Sequence, residues 1–145
     1  MLVEDADTKR SKECLHAIMN SAVVCFAPDI LLVEFINNAF EFRSGRRPYS
    51  GTAEHIDLQL ELFLQLPITY EPLFDLASAA LHYMRRHKIP PPDSWYLAAA
   101  EANSAELWIT RNQGDNFAVN ARKVYDQVFT FEKQGFFARK IRKGR

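Results

Sequence analysis

Three groups of polar side chains stand directly after a predicted strand or near the start of a predicted helix. Glu34 lies in the helix after the predicted strand at residues 22–26, and Asp93 begins another predicted helix. Thr110 and Asn112 follow a third apolar stretch. In open α/β sheets, ligands bind beyond the carboxyl ends of the strands. These positions therefore predict one acidic pocket at that edge of a sheet, with its negative charge supplied by Glu34 and Asp93.

Helices and short apolar strands alternate along the chain. The spacing of apolar residues predicts helices at residues 7–20, 29–43, 72–86 and 93–103, one that begins after Thr52, and a short one through Phe117 and Ala121. Strands are predicted at residues 22–26, 66–69, 106–110 and 124–131. This alternation favours an α/β fold with a mostly parallel sheet and helices on both faces.

Two of these helices carry specific expectations about burial. The helix at residues 29–43 is apolar apart from one polar stripe, so we expect its other sides to be buried; the stripe consists of Glu34, Asn37, Asn38 and Glu41. In the helix at residues 72–86, the side chains expected to point inward are Leu73, Leu76, Ala80, Leu81 and Met84.

Composition places the chain among ordinary globular domains. It has 145 residues, 48% of them hydrophobic, and a formal net charge of +0. Any affinity for nucleic acid must therefore come from a local basic patch. Cys14 and Cys25 lack metal-binding or redox spacing, so reduced thiols are expected. The longest apolar run is far shorter than the roughly 20 residues of a membrane span, and the first residues lack signal-peptide features. We expect a cytoplasmic protein that does not enter a membrane.

Three segments carry the chemistry-bearing residues in a fixed order. They are Ala27-Pro-Asp-Ile-Leu-Leu-Val-Glu34-Phe-Ile-Asn-Asn38, Asp93-Ser-Trp-Tyr-Leu-Ala-Ala-Ala-Glu101 and Glu106-Leu-Trp-Ile-Thr110-Arg-Asn112. They resemble the P…E…N, D…AlAe and L-V-T-x-D signatures of the PIN domain, the fold of VapC-like toxins from type II toxin–antitoxin pairs. The resemblance runs over nearly the whole chain.

The resemblance implies a PIN-like three-layer α/β/α fold and a metal-dependent ribonuclease, a hydrolase that uses Mg²⁺ or Mn²⁺. Hard divalent cations prefer oxygen ligands, and clustered carboxylates hold ions that generate hydroxide and offset charge on the cleaved phosphodiester. By resemblance, Glu34 and Asp93 are the catalytic metal ligands, and Thr110 is the small hydroxyl residue after the strand. The implied partners are RNA, an antitoxin protein and a second copy of the chain in a homodimer.

Two departures from the family pattern remove half of its four acidic positions. Asn112, a neutral amide, stands where the family has an aspartate, and Asp115 is the nearest carboxylate that could replace it. The family's domains begin with a central apolar strand that ends in another aspartate, and residues 1–10 contain no such strand. We therefore expect a sheet without its usual first strand, one completed by a second copy, or a true start upstream of Met1.

Each candidate residue also has a purely structural interpretation. Glu34 belongs to the polar stripe of its helix, and Asp93 is a common type of N-cap residue after prolines. Thr110, Asn112 and Asp115 are residue types that turns use for local hydrogen bonds. The sequence alone leaves these interpretations open beside the functional ones.

Basic residues near aromatic ones indicate two candidate RNA-binding places. Arg46 and Arg47 lie in a glycine-bearing loop, and Arg139 and Lys140 lie in a basic C-terminal tail at residues 132–145. Arginine and aromatic side chains together suit single-stranded RNA, through phosphate contacts and base stacking. A solvated loop and a tail that binds nothing are the alternatives.

Three hypotheses about function follow. The first is a PIN-like domain at residues 1–131 whose metal site is degenerate, with weak or lost nuclease activity. The second is an active Mg²⁺- or Mn²⁺-dependent endoribonuclease toxin in which Glu34 and Asp93 suffice, with or without Asp115, or in which another subunit supplies a carboxylate. The third is a non-catalytic module that binds RNA or dimerises.

Overall fold

A computed structural model of the chain describes residues 6–109 and 117–130. These residues form a mixed α/β fold, as the alternation of helices and strands predicted. The elements, in chain order, are α1 (Ala6–Met19), β1 (Cys25–Pro28), α2 (Ile30–Arg43), α3 (Ala53–Leu64), β2 (Ile68–Glu71), α4 (Leu73–His87), α5 (Asp93–Ala102), β3 (Leu107–Ile109), α6 (Phe117–Arg122) and β4 (Val128–Thr130). No helix in the described ranges is both long enough and apolar enough to cross a bilayer.

The four strands pair in parallel, but as two separate pairs. β1 runs beside β2, with Cys25 opposite Ile68. β3 runs beside β4, with Leu107 opposite Val128. The expected mostly parallel pairing is therefore present, whereas one continuous sheet is not found among residues 6–109 and 117–130. Within that part of the chain, each strand therefore has a hydrogen-bonded neighbour on one side only.

Helix α5 lies between the two strand pairs. It packs against α4, β1 and β3, and half of its ten residues are buried: Ser94, Leu97, Ala98, Ala99 and Ala100. Alanine side chains allow neighbouring elements to come close to a helix axis. The alanine-rich segment therefore forms the centre of the fold and fixes where Asp93, its first residue, is placed.

Two apolar clusters surround α5. The first has buried residues from α4, α5, α6 and β4 and the segment after α4: Tyr83, Ile89, Leu97, Ala121 and Val128. The second joins α4 to α5 through Leu76, Ala80, Ala98 and Ala99. Residue Lys88 ends α4 in the left-handed conformation, with φ of 58°, and this turn brings Ile89 back onto Tyr83.

The inward face of α4 differs from the expectation at one position. Leu76 and Ala80 are buried as predicted, but Leu81 is 42% exposed and Tyr83 is buried instead. Positions 76, 80 and 83 share one side of a helix, and residue 81 is rotated about 100° from residue 80. The stripe that faces α5 therefore excludes Leu81.

The predicted first two strands begin too early. β1 covers Cys25–Pro28 and includes the proline that was expected to end it, and β2 covers Ile68–Glu71. After α1 the chain reverses, with Ser21 at φ of 52° and the Ala22 amide bonded to the Ala17 carbonyl at 2.9 Å. This turn uses residues that the apolar pattern had assigned to β1, and Val24 is left exposed.

The expectation that α2 is buried on most sides is wrong. No residue of α2 is buried, although its position agrees with the predicted helix. α2 packs mainly against α3, where the rings of Phe35 and Phe63 stack at 3.8 Å between centroids. The N-cap at Thr52, which was predicted, accepts a hydrogen bond from the His55 amide. The α2–α3 pair is thus a hairpin that leaves apolar surface exposed.

Tyr125 ties the turn after α6 to the end of α5. Its hydroxyl lies 2.6 Å from the Ala105 carbonyl oxygen and 3.2 Å from that of Ala100, and it donates to both. Burial raises the pKa of this phenol, so the hydroxyl stays protonated as a donor into more alkaline solution than an ordinary tyrosine. These bonds hold the segment that leads from α5 into β3.

We expect Tyr125→Phe to lower the free energy of unfolding by about 1–2 kcal/mol, because two carbonyl groups lose their donor. Tyr70→Phe is the matched control, since the Tyr70 hydroxyl has no hydrogen bond among the described residues, and it should change stability by less than about 0.5 kcal/mol. Urea unfolding of the three proteins measures this. Equal stability of Tyr125→Phe and the unchanged chain would contradict the role given to this hydroxyl.

Candidate functional site

Glu34 on α2 and Tyr96 on α5 form a direct contact. The Tyr96 hydroxyl donates to Glu34 Oε2 at 2.5 Å, across 62 residues of sequence. This length is typical of a hydroxyl bonded to an ionised carboxylate. Both side chains are partly buried. The contact therefore fixes α2, an otherwise loosely packed helix, to the central helix.

Asp93 acts on the same hydroxyl. The pKa of Tyr96 lies well above its ordinary value, chiefly because of burial, and then because of its hydrogen bond to Glu34 and the negative charges of Glu34 and Asp93. Glu34 is thus bonded to this phenol, and Asp93, the other predicted carboxylate, precedes Tyr96 by one helical turn on α5. Tyr96 is a residue that the sequence analysis missed; its position three residues after Asp93, on the same side of α5, was the available signal.

The N-cap interpretation of Asp93 is not what the structure has. Pro92 occupies the N-cap position of α5, where its own side chain makes no capping hydrogen bond, and Asp93 is the first residue of the helix. A carboxylate in the first turn still interacts favourably with the helix dipole. The structure therefore places the Asp93 carboxylate in the first turn of α5, where its charge interacts with the helix dipole.

A further carboxylate lies at the end of β1. Asp29 precedes α2, and its Oδ1 is buried without a hydrogen-bond partner among the described residues. Its backbone amide bonds to the Glu71 carbonyl oxygen on β2 at 3.0 Å. A buried carboxylate oxygen without a partner is costly. Asp29 is thus a further polar residue at the carboxyl end of β1, and the sequence analysis did not select it.

These residues do not form a metal centre by themselves. Within residues 6–109 and 117–130, no three His, Cys, Asp or Glu side chains are arranged to hold an ion. One oxygen of Glu34 is already bonded to the Tyr96 hydroxyl. Glu34, Tyr96 and Asp93, which we call the acidic cluster, therefore join α2 to α5 through the hydrogen bond from Tyr96 to Glu34.

The remaining predicted site residues lie outside the described residues. They are Thr110, Asn112 and Asp115 from the segment after β3, and Arg139 and Lys140 from the tail. Their roles stay predictions.

The two arginines of the predicted basic loop after α2 contact side chains of α2. Arg47 Nε forms an ion pair with Glu41 Oε2 at 2.5 Å, and its guanidinium also donates to Asn38 Oδ1 at 2.9 Å. The Arg46 guanidinium lies 5.4 Å from the centre of the Phe40 ring. These contacts fold the loop back onto α2, and Arg47 in particular is compensated by an acid.

Glu101, at the other end of α5, has a structural partner. Its Oε2 accepts a hydrogen bond from the Tyr83 hydroxyl at 2.9 Å. Burial, this bond and the Glu101 charge raise the pKa of Tyr83. Glu101 stands eight residues after Asp93, which is about 12 Å along a helix. It belongs to the contact between α4 and α5 and not to the acidic cluster.

Comparison with known proteins gives no relative: no family model, curated protein or solved structure matches the chain. The resemblance to PIN domains therefore depends on the three segments quoted above.

The raised pKa of Tyr96 predicts a loss of stability in alkali. Above about pH 10 the unfolded chain releases its phenolic protons while the folded chain retains that of Tyr96, so the free energy of unfolding falls as pH rises. We expect Tyr96→Phe to lose stability less steeply over that range. Urea unfolding at a series of pH values measures both slopes, and identical slopes would contradict the contact as described.

Proposed function

We propose that this protein is a PIN-like ribonuclease homologue with a degenerate metal site, in which nuclease activity is weak or lost. The observation that carries the proposal is the hydrogen bond from the Tyr96 hydroxyl to Glu34 Oε2. It uses one of the carboxylate oxygens that a nuclease would need for its metal ion. The proposed homology to PIN domains is supported by the three segments that resemble that family.

The charge at the site also favours lost activity. The family pattern has four acidic positions, of which Glu34 and Asp93 remain, and Asn112 supplies no charge. A cation that competes for Glu34 has to break a short charge-assisted bond. Mg²⁺ and Mn²⁺ at such a site would polarise water for attack on a phosphodiester. The described residues instead support a structural role, in which Tyr96 holds α2 against α5.

The experiment that tests the proposal combines a Mn²⁺ titration with an RNA-cleavage assay. We expect no saturable thermal stabilisation and no metal-dependent cleavage, with the same result for Asp93→Asn. A working site at a hundredfold excess of Mn²⁺ over its Kd would add about 2.7 kcal/mol to stability. Stabilisation of this size that Asp93→Asn abolishes, together with metal-dependent cleavage, would overturn the proposal and support the active endoribonuclease.

Tyr96→Phe serves as the informative control in the same titration. If the phenol is what occupies Glu34, its removal frees that carboxylate oxygen and Mn²⁺ binding should strengthen relative to the unchanged chain. Glu34→Gln in the Tyr96→Phe background should cancel any such gain, because the amide has no negative charge.

We also propose that α2 pairs with a second copy of the chain. An apolar stripe of Val33, Ile36 and Phe40, which are 56%, 47% and 55% exposed, runs along one side of α2. These positions repeat at helical spacing and lie away from Phe35, which faces α3. Exposed apolar stripes of this kind are typical of association surfaces, and the resemblance implies a homodimer.

We expect Ile36→Asp to weaken dimerisation by at least about tenfold, because each copy loses a buried side chain and gains a charge at the contact. Asn38→Asp is the matched control: it adds the same charge at an exposed position on the side of α2 turned away from this stripe, and should leave the dimer intact. Light scattering after size-exclusion chromatography measures the mass. A monomeric unchanged chain at micromolar concentration would contradict the proposed pairing.

A further inference from the structure

The outward face of α4 carries a shallow concavity of about 310 Å³. It is lined by residues spaced three and four apart on one side of the helix: Ser78, Leu81, His82, Arg85 and Arg86. The opposite side of α4 packs on α5 through Leu76 and Ala80. Apart from Leu81, every side chain that lines the concavity can donate a hydrogen bond, and none of them is an acid.

The basic side chains at this concavity lack the holding contacts that most of the other described basic side chains have. Elsewhere, basic side chains are held by contacts: Arg43 by Asp57, Arg46 by Phe40, Arg47 by Glu41, Arg122 by the Val128 carbonyl and Lys123 by Asn120. Within the described ranges, the side chains of Arg85, Arg86 and Lys88 have no such partner, and all three are exposed. In a chain with net charge +0, this is a local positive patch.

An exposed aromatic ring lies on the same face. Phe74, in the first turn of α4, is 90% exposed. It stands eleven residues before Arg85, which is about 16 Å along the helix, and Leu81 lies between them. The acid on α4, Asp75, is next to Phe74 and three turns away from Arg86. The acid of α4 is therefore far from the concavity, whose lining contains no acid, and the ring and the cations lie at opposite ends of one face.

We propose that the outward face of α4 binds single-stranded RNA. Phosphate groups lie in the concavity against Arg85, Arg86 and His82, and a base stacks on Phe74. Guanidinium groups without acid partners complement phosphodiester anions, and an exposed aromatic ring accepts any base. A folded RNA helix presents no unstacked base to Phe74, which is why the single strand is the favoured occupant. This binding uses no metal and none of the residues around Tyr96.

The test measures the anisotropy of a fluorescein-labelled oligouridylate titrated with the full chain in EDTA. We expect Arg85→Gln/Arg86→Gln to weaken binding by at least about tenfold. The slope of log affinity against log salt concentration should become shallower by about 1.4, which is the value for two phosphate contacts on a single strand. The matched control is Arg122→Gln/Lys123→Gln, which removes two adjacent cations from the end of α6 and should leave the affinity within about twofold.

Phe74→Ala separates stacking from charge. We expect it to weaken binding at least about fivefold while leaving the salt slope unchanged, because a stacked base contributes no counterion release. Circular dichroism and urea unfolding confirm that each variant is folded, and Phe74 and both arginines are exposed enough for the core to remain intact.

Three outcomes would overturn the proposal. The first is no saturable binding of the oligouridylate, and the second is a loss of affinity in Arg122→Gln/Lys123→Gln equal to that in Arg85→Gln/Arg86→Gln. The third is that polyglutamate displaces the labelled RNA as effectively as unlabelled RNA of the same charge does. The last result would assign the face to an acidic protein segment. Because EDTA is present throughout, a failure here leaves the proposal about the metal site unaffected, and metal-dependent cleavage found elsewhere leaves this one unaffected.

Discussion

Burial of helix α5 is the constraint on which the rest of the structure depends. Five of its ten residues are buried, and the helix packs against α4, β1 and β3 at once. This is possible because most of those residues are alanines, which let neighbouring backbones approach closely on several sides. The two strand pairs share no hydrogen bonds with each other in the described ranges, so α5 is the element that holds them in one fold.

The polar groups on such a helix need partners, and this requirement explains the acidic cluster. Tyr96 near the start of α5 bonds to Glu34, and Glu101 near its end accepts a bond from Tyr83. A phenol can bury its ring and still offer a donor to a carboxylate at its edge. Both carboxylates thereby attach an outer helix to the centre. The carboxylate that the sequence analysis selected as a candidate site residue thus stabilises the fold through one of its oxygens.

The outer elements differ in what they present to their surroundings. The loop after α2 bears arginines, but an acid or a ring close in sequence holds them. α2 itself exposes apolar side chains because α3 is its main neighbour. α4 buries Leu76, Ala80 and Tyr83 on one side. On the other it exposes a ring, an aliphatic side chain and cations that have no partner among the described residues. A chain with no net charge therefore has distinct apolar and basic faces, and their positions follow from which side of each helix α5 covers.

The sequence by itself determined what depends on neighbours in sequence. The type and approximate bounds of α1, α2, α4 and α5 and the cap at Thr52 agree with the patterns, because helices and caps rest on contacts three or four residues apart. The parallel direction of the strand pairs also agrees, because a helix between two strands returns the chain to the same end. Tertiary structure alone decided that the strands form two pairs, that Tyr83 and not Leu81 faces α5, that α2 is exposed, and that Tyr96 meets Glu34. Each of these depends on contacts between distant segments, 62 residues apart in the last case, and a local pattern carries no information about which distant surface will cover it.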